Sequence, residues 1–117
     1  MTKDGFSFKH NEFEGPLGLL LELIENEKMD ISRVSLAKVT DEYIKYVKSL
    51  GETDPEQLAE FLVVAAQLML IKSRSLLPSL ELEPEEQFSA DELGKRLEEY
   101  KQMRNLAKEL KQLESRK

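Results

Sequence analysis

The sequence predicts an all-α protein, and three observations support this. Apolar residues recur at helical spacing in several stretches, Gly and Pro stand mainly at the ends of these stretches, and charged residues make up 34% of the chain. Such a composition is close to that of long helices. The 117 residues suit one domain of modest size. We therefore expect a small N-terminal bundle of about three helices with a short strand or arm before it, then a linker and one further long helix.

The elements before the longest apolar stretch follow in order. Residues 6–10 alternate apolar and polar side chains, which favours a short strand or extended arm. Pro16 follows a glycine and can start the first helix, in which leucines recur at helical spacing and which should end near Glu27. Ser35 is the expected cap of the second helix, an amphipathic one that Gly51 stops.

Residues 54–77 form the most apolar stretch of the chain. Asp54 can cap a helix, Pro55 suits a first helical position, and no Gly or Pro interrupts the stretch before Pro78. Its polar residues fall on one narrow strip of the helix: Glu56, Glu60, Gln67 and Arg74. The rest of the circumference is apolar, so this third helix needs cover on almost every side.

The chain changes character after Pro78. Residues 79–88 are acidic around Pro84, which predicts a linker between a domain of residues 1–78 and a last helix within residues 89–117. Ser89 and Glu92 have the spacing of a capping box at the start of that helix. Lys and Glu flank a narrow apolar seam on it, which is typical of a helix that docks on a partner. The seam consists of Leu93, Leu97, Tyr100, Met103, Ala107 and Leu110.

Composition argues against several classes of function. The net charge of −6 lacks the basic balance typical of nucleic-acid binders, so we expect no direct DNA contact. There is no Cys, and the single histidine, His10, lies in the N-terminal arm, where a surface role is the simplest interpretation. No Gly-rich phosphate loop or cluster of metal ligands occurs. We expect no enzyme activity, cofactor, metal or small-molecule substrate.

The chain also lacks the features of an exported or membrane protein. Its N-terminus does not have the charged and then apolar pattern of a signal peptide. The apolar run within residues 58–71 contains Glu60 and Gln67 and is too short to span a bilayer. We expect no membrane contact and a cytoplasmic location.

Several stretches, taken together and in order, resemble the ScpA kleisin family of bacterial SMC condensin complexes. Residues 13–21, FEGPLGLLL, are similar to the family's FEGPLDLLL, and residues 39–44, VTDEYI, to its ITEQYL. Residues 59–66 with 71–78, which end in IKSRSLLP, resemble the family's third helix, and residues 96–101, RLEEYK, its central segment. One departure is Gly18, which stands where the family usually has Asp and weakens the helix by about 0.5–1 kcal/mol.

The resemblance implies a connector rather than a catalyst. In this family the N-terminal helical domain packs on the coiled-coil neck above an SMC ATPase head, and the central segment binds a ScpB dimer. Such chains act in chromosome condensation and segregation, and they are cytoplasmic and reach the nucleoid through SMC. The family's chains continue into a C-terminal winged-helix domain, so we expect this chain to be the N-terminal half of such a protein.

The resemblance suggests an interface on each of the last two helices. On the third helix, Ala59, Val63, Ala66 and Leu70 recur at four-three-four spacing, as contact with a coiled coil requires, and Gln67 and Arg74 border them. We predict that this line faces SMC. The residues predicted to face inward are Leu58, Leu62, Ala65 and Met69. The seam of the last helix, from Leu93 to Leu110, is the predicted ScpB contact.

Two other classes of function compete with this interpretation. A generic helical adaptor or a self-associating coiled-coil module would cover the apolar third helix with its own copies. A small acid–base or metal-dependent enzyme is the other class, and one His and no Cys argue against it.

Overall fold

The computed structural model describes residues 15–51, 54–77 and 83–116, and within these ranges the secondary structure is helical. The four helices are α1 (Pro16–Asn26), α2 (Arg33–Lys48), α3 (Pro55–Ser75) and α4 (Pro84–Ser115). The predicted all-α class is therefore confirmed. The strand predicted for residues 6–10 lies outside the described residues, as does His10.

Proline begins three of these helices. Pro16, Pro55 and Pro84 each stand at the first helical position, where the missing N–H has no intrahelical partner to lose. Before α1, Gly15 has a φ of +105°, a conformation that only glycine adopts without strain. The predicted starts of α1 and α3 are thus confirmed, although Asp54 caps α3 by position and its side chain makes no capping hydrogen bond.

The start of α2 differs from the prediction by one turn. Ser32, and not Ser35, is the N-cap, and the backbone N–H of Ser35 donates to its Oγ over 3.1 Å. In return the backbone N–H of Ser32 donates to Ser35 Oγ over 2.9 Å. The two serines form a reciprocal box in which Ser35 takes the place usual for Glu or Gln.

The start of α4 also differs from the prediction, because residues 84–88 of the acidic segment are part of the helix. Pro84 is its first residue and not a breaker, and Ser89 lies inside the helix. The backbone N–H of Glu83 donates to Glu86 Oε1 over 3.0 Å. Carboxylates in a first turn also complement the helix dipole. A helix start at Ser89 is therefore wrong, whereas the division of the chain into domains stays a prediction.

The core lies where α1, α2 and α3 meet, and α4 covers it. Leucines of α1 and the inner faces of α2 and α3 are buried together with three residues of α4, namely Ala90, Leu93 and Leu97. The most extensive helix–helix contact is that of α2 with α3. At its centre the Tyr43 hydroxyl donates to the Phe61 carbonyl oxygen over 2.8 Å, and burial raises the pKa of this phenol.

The first half of α4 crosses the bundle and touches each of the other helices. One ion pair joins α4 to each of the other helices. Arg74 of α3 pairs with Glu86, and Arg33 of α2 donates to Asp91 over 2.8 Å. Near the middle of α4, Arg104 pairs with Glu25 at the end of α1. From Asn105 to Arg116 every residue is exposed. The 32-residue helix is about 48 Å long at 1.5 Å per residue, which accounts for the longest dimension of the molecule, 56 Å.

Truncation of buried and exposed leucines of α4 should have different costs. We expect Leu93→Ala and Leu97→Ala each to lower the free energy of unfolding by about 2–5 kcal/mol, because each side chain is fully buried and its removal leaves a cavity. Leu106→Ala and Leu113→Ala, at exposed positions of the same helix, should change it by less than about 0.5 kcal/mol. Chemical denaturation followed by circular dichroism measures both. Equal, small losses in all four variants would mean that α4 is not docked in solution.

Candidate protein–protein interfaces

The outward side of α3 is apolar and uncovered by the described residues. We define the outer α3 face as Ala59, Leu62, Val63, Ala66, Met69 and Leu70. The three largest exposed side chains of this face, Leu62, Val63 and Met69, are 50%, 60% and 55% exposed. Scattered apolar residues are normal on a protein surface, but a contiguous patch along several helical turns is typical of an interaction site.

The outer α3 face arises because α3 has more apolar circumference than the bundle can cover. Phe61, Val64, Ala65, Leu68 and Ile71 lie on one arc of the helix and are buried in the core. At 100° per residue, the outer α3 face lies on the opposite arc. An ordinary amphipathic helix, which packs on one side only, would carry polar residues on this outer arc.

The predicted contact line maps onto this surface, and part of the predicted inward line is wrong. Ala59, Val63 and Ala66 are exposed and Leu70 is half-buried. Of the residues predicted to face inward, Ala65 is buried and Leu58 is partly buried, but Leu62 and Met69 are exposed. Four inward residues were missed by the sequence prediction: Phe61, Val64, Leu68 and Ile71. Because α3 is apolar almost all round, its pattern alone does not say which arc packs inward.

The two polar residues predicted to border the contact line are engaged by α4. Gln67 Nε2 donates to Ser89 Oγ over 3.0 Å, and Gln67 Oε1 has no hydrogen-bond partner among the described residues. Arg74 donates to both carboxylate oxygens of Glu86, over 3.1 Å and 3.3 Å. They therefore form a polar seam between α3 and α4, along one edge of the outer α3 face.

A groove between α2 and the C-terminal half of α3 forms the opposite edge. It has a volume of about 490 Å³ and shares Met69 with the outer α3 face. Two of its lining residues form an ion pair, in which Lys72 Nζ lies 2.7 Å from both carboxylate oxygens of Asp41. The remaining lining residues are Thr40, Ile44, Ser73, Leu76 and Leu77. The apolar surface thus continues from α3 toward α2.

The predicted seam of α4 divides into two parts in the structure. Leu93 and Leu97 are 0% exposed inside the core, and Tyr100 is half-buried beside it. Met103, Ala107 and Leu110 are exposed. The structure therefore does not present these six residues as one surface, and an Ala substitution at Leu97 would disturb the core before it tested any partner contact.

A different apolar stripe runs along the exposed half of α4. We define the distal stripe as Met103, Leu106, Leu110 and Leu113, each more than half exposed. These residues follow one another at spacings of three, four and three, which is the spacing of a coiled-coil seam. The sequence prediction missed Leu106 and Leu113 because it continued the spacing of Leu93 and Leu97 along the whole helix, whereas the exposed apolar residues lie on a different side.

Two carboxylates of the α4 contacts have lowered pKa values. Hydrogen bonds from Arg74, and then from the Glu83 backbone, lower the pKa of Glu86 below its ordinary value of 4.5. Hydrogen bonds from Arg104 lower that of Glu25 in the same way, and partial burial opposes this shift. Both carboxylates are therefore ionised at neutral pH and hold α4 against α3 and α1.

Metal-ion sites and membrane-spanning helices are both absent from the described ranges. Residues 15–51, 54–77 and 83–116 contain no group of three or more His, Cys, Asp or Glu side chains arranged to hold a metal ion. None of the helices in these ranges combines the length and the apolar character that a membrane crossing needs.

Comparison with known proteins gives a consistent family. The family model of segregation and condensation protein ScpA matches residues 23–117. Segregation and condensation protein A of Listeria welshimeri is 43% identical over 115 residues, which cover 93% of this chain and 46% of that protein. The protein of the same name from Clostridium tetani is 41% identical over 107 residues, covering 88% of this chain and 42% of the relative. This chain therefore spans a little under half the length of these curated relatives. No solved structure matches it significantly.

Acid should weaken the α4 contacts. A carboxylate whose pKa is lowered in the folded state stabilises the fold above its unfolded pKa, near 4.5, and this stabilisation is lost as the pH falls through the folded value. We expect the double variant Glu25→Gln/Glu86→Gln to have a lower melting temperature than the unmodified chain at pH 7. Melting curves between pH 7 and pH 3 should show this difference shrinking below pH 4.5. A difference independent of pH would contradict the assignment.

Proposed function

This chain belongs to the ScpA family of segregation and condensation proteins, and we propose that it acts as a non-catalytic kleisin subunit in chromosome condensation and segregation. It binds the head-proximal coiled coil of SMC through the N-terminal bundle and a ScpB dimer through α4. It makes no direct contact with nucleic acid or membrane, needs no cofactor, and reaches the nucleoid from the cytoplasm through SMC. Family membership and the similarity to proteins named segregation and condensation protein A support the chromosomal role.

The outer α3 face is the observation that supports the SMC contact most strongly. Its residues lie along about three turns of a rigid helix, as contact with a long helical partner requires. Ala59 and Ala66 lie on its midline and allow a partner helix to approach closely, while Leu62, Val63 and Met69 provide apolar area around them. Burial of this area supplies the driving force for association.

A self-associating helical module is the alternative function, because a second copy would cover the same face. The two proposals differ in the partner that the outer α3 face binds at low protein concentration, which is SMC in one and a second copy of the chain in the other. The mass of the chain in solution, measured with and without an SMC head-plus-neck fragment, separates them. A monomer that forms a defined complex with the fragment supports the kleisin proposal, and a dimer that ignores the fragment supports the alternative.

A single charge on the outer α3 face should prevent SMC binding. We expect Ala66→Glu to weaken binding to an SMC head-plus-neck fragment by about 100-fold or more, because an unpaired carboxylate buried against an apolar partner costs about 3 kcal/mol or more. Isothermal titration calorimetry measures the affinity. Ala66 is exposed, so circular dichroism of the variant alone should be unchanged.

Gln112→Glu is the matched control for this experiment. Gln112 is exposed near the end of α4, so the variant introduces the same side chain and the same change in charge on another helix, and it should retain binding within about twofold. Unchanged affinity in Ala66→Glu would remove the outer α3 face from the SMC contact.

A further inference from the structure

A groove lies between the start of α1 and the middle of α4. It has a volume of about 640 Å³, and its apolar lining consists of Leu17 from α1 and Tyr100, Met103 and Ala107 from α4. Met103 is 70% exposed, so a large apolar side chain of this groove is left uncovered. None of the lining residues belongs to the outer α3 face, and the α1–α4 groove is therefore a separate surface.

We propose that residues 6–13, which precede the described part of the chain, occupy the α1–α4 groove in extended form and hold α4 against α1. We call this segment the N-terminal arm. Its contact with the groove lies within one chain and does not rest on the proposed function. The arm that the sequence predicts for residues 6–10 thereby acquires a place on the bundle.

The N-terminal arm has the apolar side chains that such a groove accepts. Phe6, Phe8 and Phe13 are three of the five phenylalanines of the whole chain. In an extended segment Phe6 and Phe8 point to the same side, because side chains alternate along it. A buried aromatic side chain covers about 150–250 Å², and the ring of Tyr100 and the thioether of Met103 are both favourable neighbours for phenylalanine.

The attachment and the length of the N-terminal arm also suit this groove. The described residues begin at Gly15, two positions before Leu17, which itself lines the groove. From Arg96 to Ala107 the groove follows about 16 Å of α4, at 1.5 Å per residue. Eight extended residues reach about 26 Å at 3.3 Å per residue, which is enough to cover this distance. Because the arm is tethered beside the groove, its effective concentration there is high, and weak contacts suffice to keep it bound.

The charges at the rim of the groove are compatible with this occupant. Arg96 and Glu99 line the groove and are exposed, so the rim carries one charge of each sign. The N-terminal arm also carries both signs, for example at Lys9 and Glu12. Each rim charge can therefore meet an opposite one, whereas a uniformly charged partner would be repelled by one of the two.

The N-terminal arm supplies apolar contact where α4 is held least firmly. Beyond Leu97, Tyr100 is half-buried beside the core, and Arg104 pairs with Glu25 over 2.9 Å and 3.2 Å. The side chains of this ion pair are 28% and 38% exposed, and partly exposed pairs contribute little to stability. Phenylalanines in the groove add burial at this point and fix the middle of α4 on α1.

Oxidation of methionine tests whether the groove is covered. Met103 is 70% exposed and Met69, on the outer α3 face, is 55% exposed, so hydrogen peroxide should oxidise Met103 at least as fast as Met69 if the groove is open. With the arm in place, we expect Met103 of the full chain to react about fivefold or more slowly than Met69. Mass spectrometry of proteolytic peptides measures both rates. Equal rates would overturn the inference.

Substitutions in the arm identify what covers Met103. We expect Phe6→Ser/Phe8→Ser to raise the rate of Met103 oxidation about fivefold or more, to that of Met69, with unchanged helical circular dichroism. Phe88→Ser is the matched control, because it removes an exposed phenylalanine from the first turns of α4, and it should leave the rate within about twofold. Protection that persists in the double arm variant would mean that another segment covers Met103, and would overturn the inference.

A substitution in the groove tests the other side of the contact. Ala107→Glu places a carboxylate in the apolar lining at an exposed position, so it should release the arm and raise Met103 oxidation to the level of the double arm variant. Gln112→Glu adds the same side chain farther along α4 and should leave Met103 protected. Unchanged protection in Ala107→Glu would remove the groove as the site of the arm.

Dilution separates an arm of the same chain from an arm of a second copy. Protection of Met103 that does not depend on protein concentration supports a contact within one chain. Protection lost on dilution would instead place the arm of one copy in the groove of another, and would overturn the inference. Neither SMC nor ScpB is present in these experiments, so their outcome leaves the proposed function untouched.

Discussion

The structure depends on one constraint, the need to cover a 21-residue helix that is apolar on nearly every side. A chain of this size has few elements with which to cover α3. The outcome is a division of its circumference: α1 and α2 cover the arc around Phe61 and Leu68, and α4 closes the flank at Gln67 and Arg74. The arc that remains is the outer α3 face. It is exposed because α1, α2 and α4 pack against the other sides of α3.

The fourth helix differs from the others in how it is held. Its contacts with α1, α2 and α3 include three ion pairs, all between partly exposed side chains, and such pairs contribute little to stability on their own. The free energy of docking comes instead from Leu93, Leu97 and Ala90, which are buried as completely as the residues of α1. The ion pairs are spread over about five turns of α4. Because such contacts are directional, they fix the position of α4 along the bundle.

The elements of this fold could be predicted from the sequence, but the allocation of faces could not. Pro16 and Pro55 marked helix starts correctly, because a local backbone property decides them. Pro84 was assigned to an acidic linker, because a proline can stand either in a linker or at the first position of a helix. The reciprocal contact of Glu83 with Glu86, which marks the helix start, is visible in the structure. Leu62 and Met69 were placed inward because an apolar helix has no polar side to orient it. Leu93 and Leu97 were assigned to a partner because nothing local shows that the chain folds back on itself.

The acidic balance of the chain acquires a structural meaning from these surfaces. An exposed apolar face and an exposed apolar stripe are aggregation hazards in a free protein. Alanines on the midline of the outer α3 face keep its exposed apolar area small. A net charge of −6 acts in the same direction, because like-charged molecules repel one another.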